Sequence, residues 1–148
     1  SIVLIDGLEE MFGGNINQMT VSQFEAMKFN PPLLYKGFIS GKDFIVGEGK
    51  TIRDCMFSNN LEYQNFGYPN GETKNDAKIR FEKALINFAN KNPQYKKIIV
   101  VSHGFTIKSF IAGIPKLNDF QMMHHRDILE FELSNNKFIF KNYIQPKE

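Results

Sequence analysis

Cysteine is nearly absent. Cys55 is the single one among 148 residues, so no internal disulfide can form, and a reducing cytoplasm is the expected setting. Long apolar runs are lacking too. The longest are four or five residues, far short of the roughly 20 that a membrane span requires. No block of basic residues interrupts the mixture of Lys and Arg with Asp and Glu, and the net charge is only +2. That balance argues against nucleic acid as a partner. No basic-then-apolar leader is visible, so no signal peptide is read. Internal repeats, low-complexity tracts and interdomain linkers are also missing. What is present fits a soluble globular domain. The chain is 42% apolar and 23% charged, which excludes broad disorder, and fifteen Phe supply core material. The length is that of one domain. The chain opens at Ser1 inside the apolar run Ile2-Val3-Leu4-Ile5, and the expectation is that it belongs to a longer polypeptide.

The pattern of elements reads as α/β. Ile2 to Ile5 is expected as a strand closed by Asp6-Gly7, followed by a loop from Gly7 to Asn15 with two adjacent carboxylates and two adjacent glycines. A short helix is expected over Thr20 to Lys28, ended by Asn30-Pro31-Pro32. From about 30 to 68 periodicity fades and glycines recur, which suggests an inserted lobe. Thr73 to Asn90 carries the strongest helical signal. Thr73 and Asp76 resemble a capping box, and Ala77, Phe81, Ala84, Leu85 and Phe88 make one apolar stripe. Asp76 with Arg80, and Lys78 with Glu82, are spaced for pairs on the solvent side. Ile98 to Val101 is expected as a strand buried on both faces. Helices are expected over Phe105 to Ala112 and Asn118 to Met123. Alternating residues 129–133 and 138–143 around Ser134-Asn135-Asn136 predict a β-hairpin. Helices alternating with buried strands argue for an α/β sandwich with an antiparallel edge.

The chemistry concentrates at Ser102-His103-Gly104, where a strand gives way to a helix. Ligands of α/β sheets bind beyond the carboxyl ends of strands, and the first N–H groups of a helix attract anions. Gly104 lets backbone approach a ligand closely, and His103 adds a donor that titrates near neutral pH. A phosphate suits all three features. The competing reading of His103 is a helix-capping or core-edge histidine. Glu9 and Glu10 stand after another strand end. A carboxylate beside an anion site is pushed toward holding its proton and can then donate it. The competing reading there is an exposed acidic loop. His124-His125 lack ligand spacing for a metal, Met122-Met123 read as core filler, and Cys55 reads as a spectator thiol. Phe57, Tyr63, Phe66 and Tyr68 suit either a lid or the core of a small lobe.

Four stretches in order resemble the histidine phosphatase superfamily in its phosphoglycerate mutase-like branch. They are "IVLIDGLEEMFGG" (Ile2 to Gly14), "YPNGET" with Asp76 and Arg80, "IIVVSHG", and the closing "ILEFELSNNKFIFKNYI". The resemblance implies a three-layer sandwich with a mostly parallel sheet and an antiparallel edge hairpin, of which residues 1–148 are the C-terminal part. It assigns His103 to the second pocket histidine, which contacts the phosphoryl group. Glu10 becomes the general acid, and base toward water. Gly104 and Ser102 fall at the substrate-binding positions. Glu72 lies near the helix that walls the pocket and receives no catalytic role. The family's nucleophilic histidine belongs to an Arg-His-Gly motif, which does not occur in these 148 residues. His124-His125-Arg126 has another order, and the family's downstream arginine motif is missing as well. The expectation is therefore a phosphatase acting on a small phosphorylated metabolite through a phosphohistidine, with no metal or other cofactor. Its nucleophile would come from an upstream segment. The alternatives are an inactive anion-binding or interaction domain of the same fold, or a mutase-type phosphotransferase. Neither a nucleic-acid nor a membrane partner is expected, and a homo-oligomer is left open.

Overall fold

The computed structural model describes residues 2–14, 20, 22, 33–36, 43–46, 58, 61–67, 71–117 and 126–146, the segments 33–36 and 43–46 by backbone only. The expected helices at Thr20 to Lys28 and Asn118 to Met123 lie outside the described residues but for Thr20 and Ser22. So do Cys55, Phe57, Tyr68, Met122-Met123 and His124-His125. Helices and strands mix, as an α/β chain requires. The elements in chain order are β1 (Leu33–Lys36), β2 (Asp43–Val46), α1 (Lys74–Lys91), α2 (Gly104–Ile111), β3 (Ile128–Ser134) and β4 (Lys137–Ile144).

Helix α1 begins where its capping box dictates. The Asp76 N–H donates to Thr73 Oγ1 at 3.0 Å, and the Thr73 N–H donates to Asp76 Oδ2 at 3.1 Å. These bonds satisfy orphan donors at the helix start. The helix stops at Asn92, whose Nδ2 donates back to the Phe88 carbonyl at 2.9 Å, one residue before Pro93. Asp76 is buried in the cap rather than paired with Arg80 on the solvent side, which corrects the expected ion pair. Lys78 and Glu82 do meet, at 4.0 Å.

Strands β3 and β4 form the expected hairpin. Asn135 and Asn136 both take positive φ, at 50° and 59°. This is the backbone of a tight hairpin turn, which asparagine tolerates better than most residues. One face of the hairpin closes the core. Phe110 of α2 is the centre, with ring centroids 5.1 Å from Phe81, 4.8 Å from Phe131 and 5.2 Å from Phe138. Ile111 and Leu117 are buried beside it, and Leu8, Leu85, Phe140 and Tyr143 pack around the cluster. Strands β1 and β2 pair antiparallel inside the stretch expected as an inserted lobe. Phe66, one of the aromatics weighed as lid or lobe core, is buried, and its carbonyl accepts from the Lys74 N–H at 2.9 Å.

Among the described residues both sheets are two-stranded and antiparallel. The run Ile2 to Ile5, expected as a strand, and the run Ile98 to Val101, expected as a buried one, are unpaired among the described residues. Neither is assigned as a strand, and Leu4 and Ile99 are 95% and 94% exposed. The physical reason is that an extended segment becomes a strand only when a neighbour takes its N–H and C=O groups. No described segment does so here.

Candidate active site

The acidic loop after Asp6 is built by close contacts from both helices. Gly7 adopts φ +101°, and a Cβ there would stand 2.8 Å from the Ala84 Cβ, so both conformation and space demand glycine. The chain then turns Leu8 into the core. From the α2 side, Ser102 Oγ donates to the Leu8 carbonyl at 2.6 Å and Thr106 Oγ1 to the Glu9 carbonyl at 2.7 Å. Thr106 is fully buried, so its hydroxyl needs such a partner.

These contacts deliver Glu10 to the N-terminus of α2. Its Oε1 accepts from the Thr106 N–H at 3.0 Å and from the Met11 N–H at 2.8 Å, while Oε2 accepts from the Phe105 N–H at 3.3 Å. The helix start was expected to hold an external anion. Here a carboxylate of the chain itself lies on two of its amides, a favourable place for negative charge. The amide of Gly104 makes no hydrogen bond with any described residue, and a Cβ on Gly104 would meet nothing within 4 Å.

His103 stands at the N-cap position with extended backbone, φ −111° and ψ 160°, and its side chain makes no capping bond. It is exposed rather than folded into the core. It lines an open cavity of about 620 Å³ together with Glu10, Met11, Phe12, Glu72 and Arg80. The expected residues Glu10, His103, Gly104 and Ser102 thus lie at one end of α2. Glu10 and His103 face the cavity, and Ser102 turns away to hold Leu8.

On the other side of this cavity, sequence reasoning placed Glu72 near the pocket wall but missed its pairing with Arg80. Arg80 donates from Nε to Glu72 Oε1 at 2.7 Å and from Nη2 to Glu72 Oε2 at 2.8 Å, a two-pronged ion pair. Its Nη1 reaches the Gly7 carbonyl at 2.8 Å and Glu9 Oε2 at 3.1 Å. The hydrogen bond that Arg80 donates to Glu72 is the main cause that holds its guanidinium even more firmly protonated than usual, with the Glu9 and Glu10 charges adding to it against the cost of burial. All three nitrogens are engaged by the protein, so this arginine is committed to the loop. No spacing rule pairs residues 72 and 80, because Glu72 precedes the helix cap and reaches Arg80 from outside the helical register. Among the described residues no cluster of His, Cys, Asp and Glu suits a metal ion, and no helix is long and apolar enough to cross a membrane.

Comparison with known families places the chain. The model of the histidine phosphatase superfamily, branch 1, matches residues 43–143. That is more than half of the sequence, and the chain belongs to this superfamily. The matched span includes Glu72, Arg80 and Ser102-His103-Gly104, and it begins after the loop that carries Glu10. No curated protein and no solved structure matched.

Proposed function

We propose that the protein is a phosphatase acting on a small phosphorylated metabolite in the cytoplasm, and that these residues carry its proton-transfer and phosphoryl-contact groups. The observation that carries the reading is the meeting of Glu10 and His103 at one open cavity over the start of α2. Superfamily membership supports phosphatase- or mutase-type activity in general. In the proposed reaction an imidazole from an upstream Arg-His-Gly segment attacks phosphorus. The ester P–O bond breaks, a P–N bond forms, and Glu10 gives its proton to the departing oxygen. Water then attacks the phosphohistidine, the P–N bond breaks, and Glu10 takes the proton from that water. His103 and the free N–H of Gly104 donate to the phosphoryl oxygens, where charge must be steadied throughout.

The larger architecture belongs to the same proposal. Ile2 to Ile5 and Ile98 to Val101 become strands of a mostly parallel, three-layer sandwich once neighbouring strands cover them. A second reading is an inactive anion-binding or interaction domain of the same fold, its anion left to His103 and Gly104 because the Glu10 carboxylate holds the Phe105 and Thr106 amides.

The test gives the intact protein p-nitrophenyl phosphate and an alkyl phosphate without added metal, with alkaline denaturing quenching to trap phosphohistidine. His103→Ala is expected to lower turnover of both esters. Glu10→Gln is expected to lower turnover of the alkyl ester far more, because its leaving group needs the proton. Turnover untouched by His103→Ala removes that residue from the mechanism. No turnover at all, with phosphate still bound, selects the second reading.

A further inference from the structure

We propose that Glu72 and Arg80 form a positioning pair that holds Glu10 in place for proton transfer; the role of Glu10 itself rests on the function proposed above. The pair grips the backbone on both sides of Glu10. Upstream, Arg80 Nη1 donates to the Gly7 carbonyl at 2.8 Å, and both Nη1 and Nη2 reach the Glu9 carbonyl at 3.3 Å. Downstream, Glu72 Oε2 accepts from the Phe12 N–H at 2.9 Å, and the Glu72 N–H donates to the Phe12 carbonyl at 2.8 Å. Residue 72 thus exchanges two hydrogen bonds with residue 12, one from its backbone and one to its side chain.

The pair is itself fixed. The Glu72 side chain is only 4% exposed. The capping box at Thr73 and Asp76 settles where α1 starts, and so where Glu72 stands. Gly71 brings the two segments into contact, since a Cβ there would fall 2.5 Å from the Phe12 carbonyl oxygen. A buried carboxylate requires a partner for its charge, and the forked guanidinium satisfies both of its oxygens. The guanidinium has further donors on its outer edge, and these are the ones that tie down the loop.

The α2 side holds Glu10 by its carboxylate and by the Leu8 and Glu9 carbonyls. The α1 side holds only main chain around it. Loss of the α1-side grip therefore leaves the acid with its helix contacts and with the Leu8 and Glu9 carbonyls held, and frees the backbone that follows it at Met11 and Phe12. Proton delivery depends on placement to within about an ångström, and a misplacement of that size costs about 100-fold in rate. The cost falls on the step that needs the proton.

The experiment uses the intact protein with Glu72→Gln, Arg80→Met and, as reference, Glu10→Gln. Two readouts are taken on each, after thermal melting has shown which variants fold. One is kcat and KM for p-nitrophenyl phosphate and for an alkyl phosphate. The other is amide hydrogen exchange of Met11 and Phe12. Both positioning variants are expected to lose about 100-fold in kcat on the alkyl ester and several-fold less on p-nitrophenyl phosphate, at similar KM. Exchange at Met11 and Phe12 is expected to quicken while α2 amides stay protected. Equal losses on both esters, or a loss confined to KM, overturn the proposal. So does unchanged exchange at Met11 and Phe12, which is read even where no ester is turned over. If Arg80→Met fails to fold, the isosteric Glu72→Gln decides alone. Failure of the underlying function looks different: Glu10→Gln then shows no dependence on the leaving group, whatever the exchange data say.

Discussion

Replacing Gly104 by alanine separates the needs of the fold from those of the ligand. The glycine is the first residue of α2, its φ is not positive, and a Cβ there would meet no heavy atom within 4 Å. The fold therefore gives no reason for glycine. Alanine restricts the unfolded chain and has the better helix propensity, so Gly104→Ala should stabilise the protein by about 0.4–1 kcal/mol. For a domain of this size that is a rise of roughly 2 °C in Tm. Binding should move the other way. The Gly104 N–H makes no hydrogen bond within the described protein, so it is available to a phosphoryl oxygen. A hydrogen bond to a charged acceptor contributes about 1.5–3 kcal/mol, and a methyl group crowding that approach should weaken orthovanadate inhibition by roughly 10- to 100-fold. Differential scanning calorimetry and a vanadate titration on the same preparation read both quantities. A variant that melts higher and binds vanadate as tightly as the parent refutes the close approach of a ligand to this amide. A variant that melts lower refutes the claim that the space is empty.

Other consequences concern the core and the unpaired segments. Phe110→Ala removes the ring against which Phe81, Phe131 and Phe138 pack, and urea unfolding should show a loss of about 3–5 kcal/mol; a loss under 1 kcal/mol would mean the ring is not the hub. Burial first, and then the hydrogen bond to Asp127, push the Tyr143 hydroxyl up to about 12 from its usual 10. The native state thus keeps a proton that the unfolded chain gives up, so this stability is present below pH 10 and is lost as pH climbs through about 12. Tyr143→Phe should flatten that alkaline fall in urea midpoints, and an identical fall in the variant would assign it elsewhere. If Ile98 to Val101 becomes a covered strand in the intact protein, the Ile99 and Val101 amides should resist hydrogen exchange. Exchange there at solvent rates contradicts the mostly parallel sheet.

Legibility in the sequence followed the range of the interactions. Helix α1 was readable because Thr73, Asp76 and the stripe through Ala77 and Phe81 lie within a few turns of one another. The hairpin was readable from its alternation and from Asn135-Asn136 at the turn. The strands β1 and β2 were not, since Gly37 and Gly41 between them leave no regular period, and four-residue strands carry little alternation to count. The runs at Ile2 and Ile98 show the reverse failure. Their composition says strand, but a strand is a relation between two segments, and composition describes only one. At the cavity, His103 and Gly104 stood out by their place after an apolar run. The Arg80 grip on Gly7 and Glu9 did not, because it spans more than 70 residues and no local pattern announces it.

The charge balance at the cavity bears on how these parts must work together. Glu9, Glu10 and Glu72 all line it, and Arg80 is the only guanidinium among its described lining residues. That guanidinium is spent on Glu72, Glu9 and the loop backbone. Among the described lining residues, a phosphate dianion entering this cavity therefore meets His103 as a donor, against three carboxylates. In a site partly shielded from water, such an imbalance opposes binding. The described residues are thus poorly supplied for neutralising the phosphoryl oxygens. For the proposed reaction, further positive charge has to come from residues beyond the described ones. An arginine beside the attacking histidine brings that charge together with the nucleophile, and an upstream Arg-His-Gly is the sequence whose presence or absence in the intact protein decides the matter.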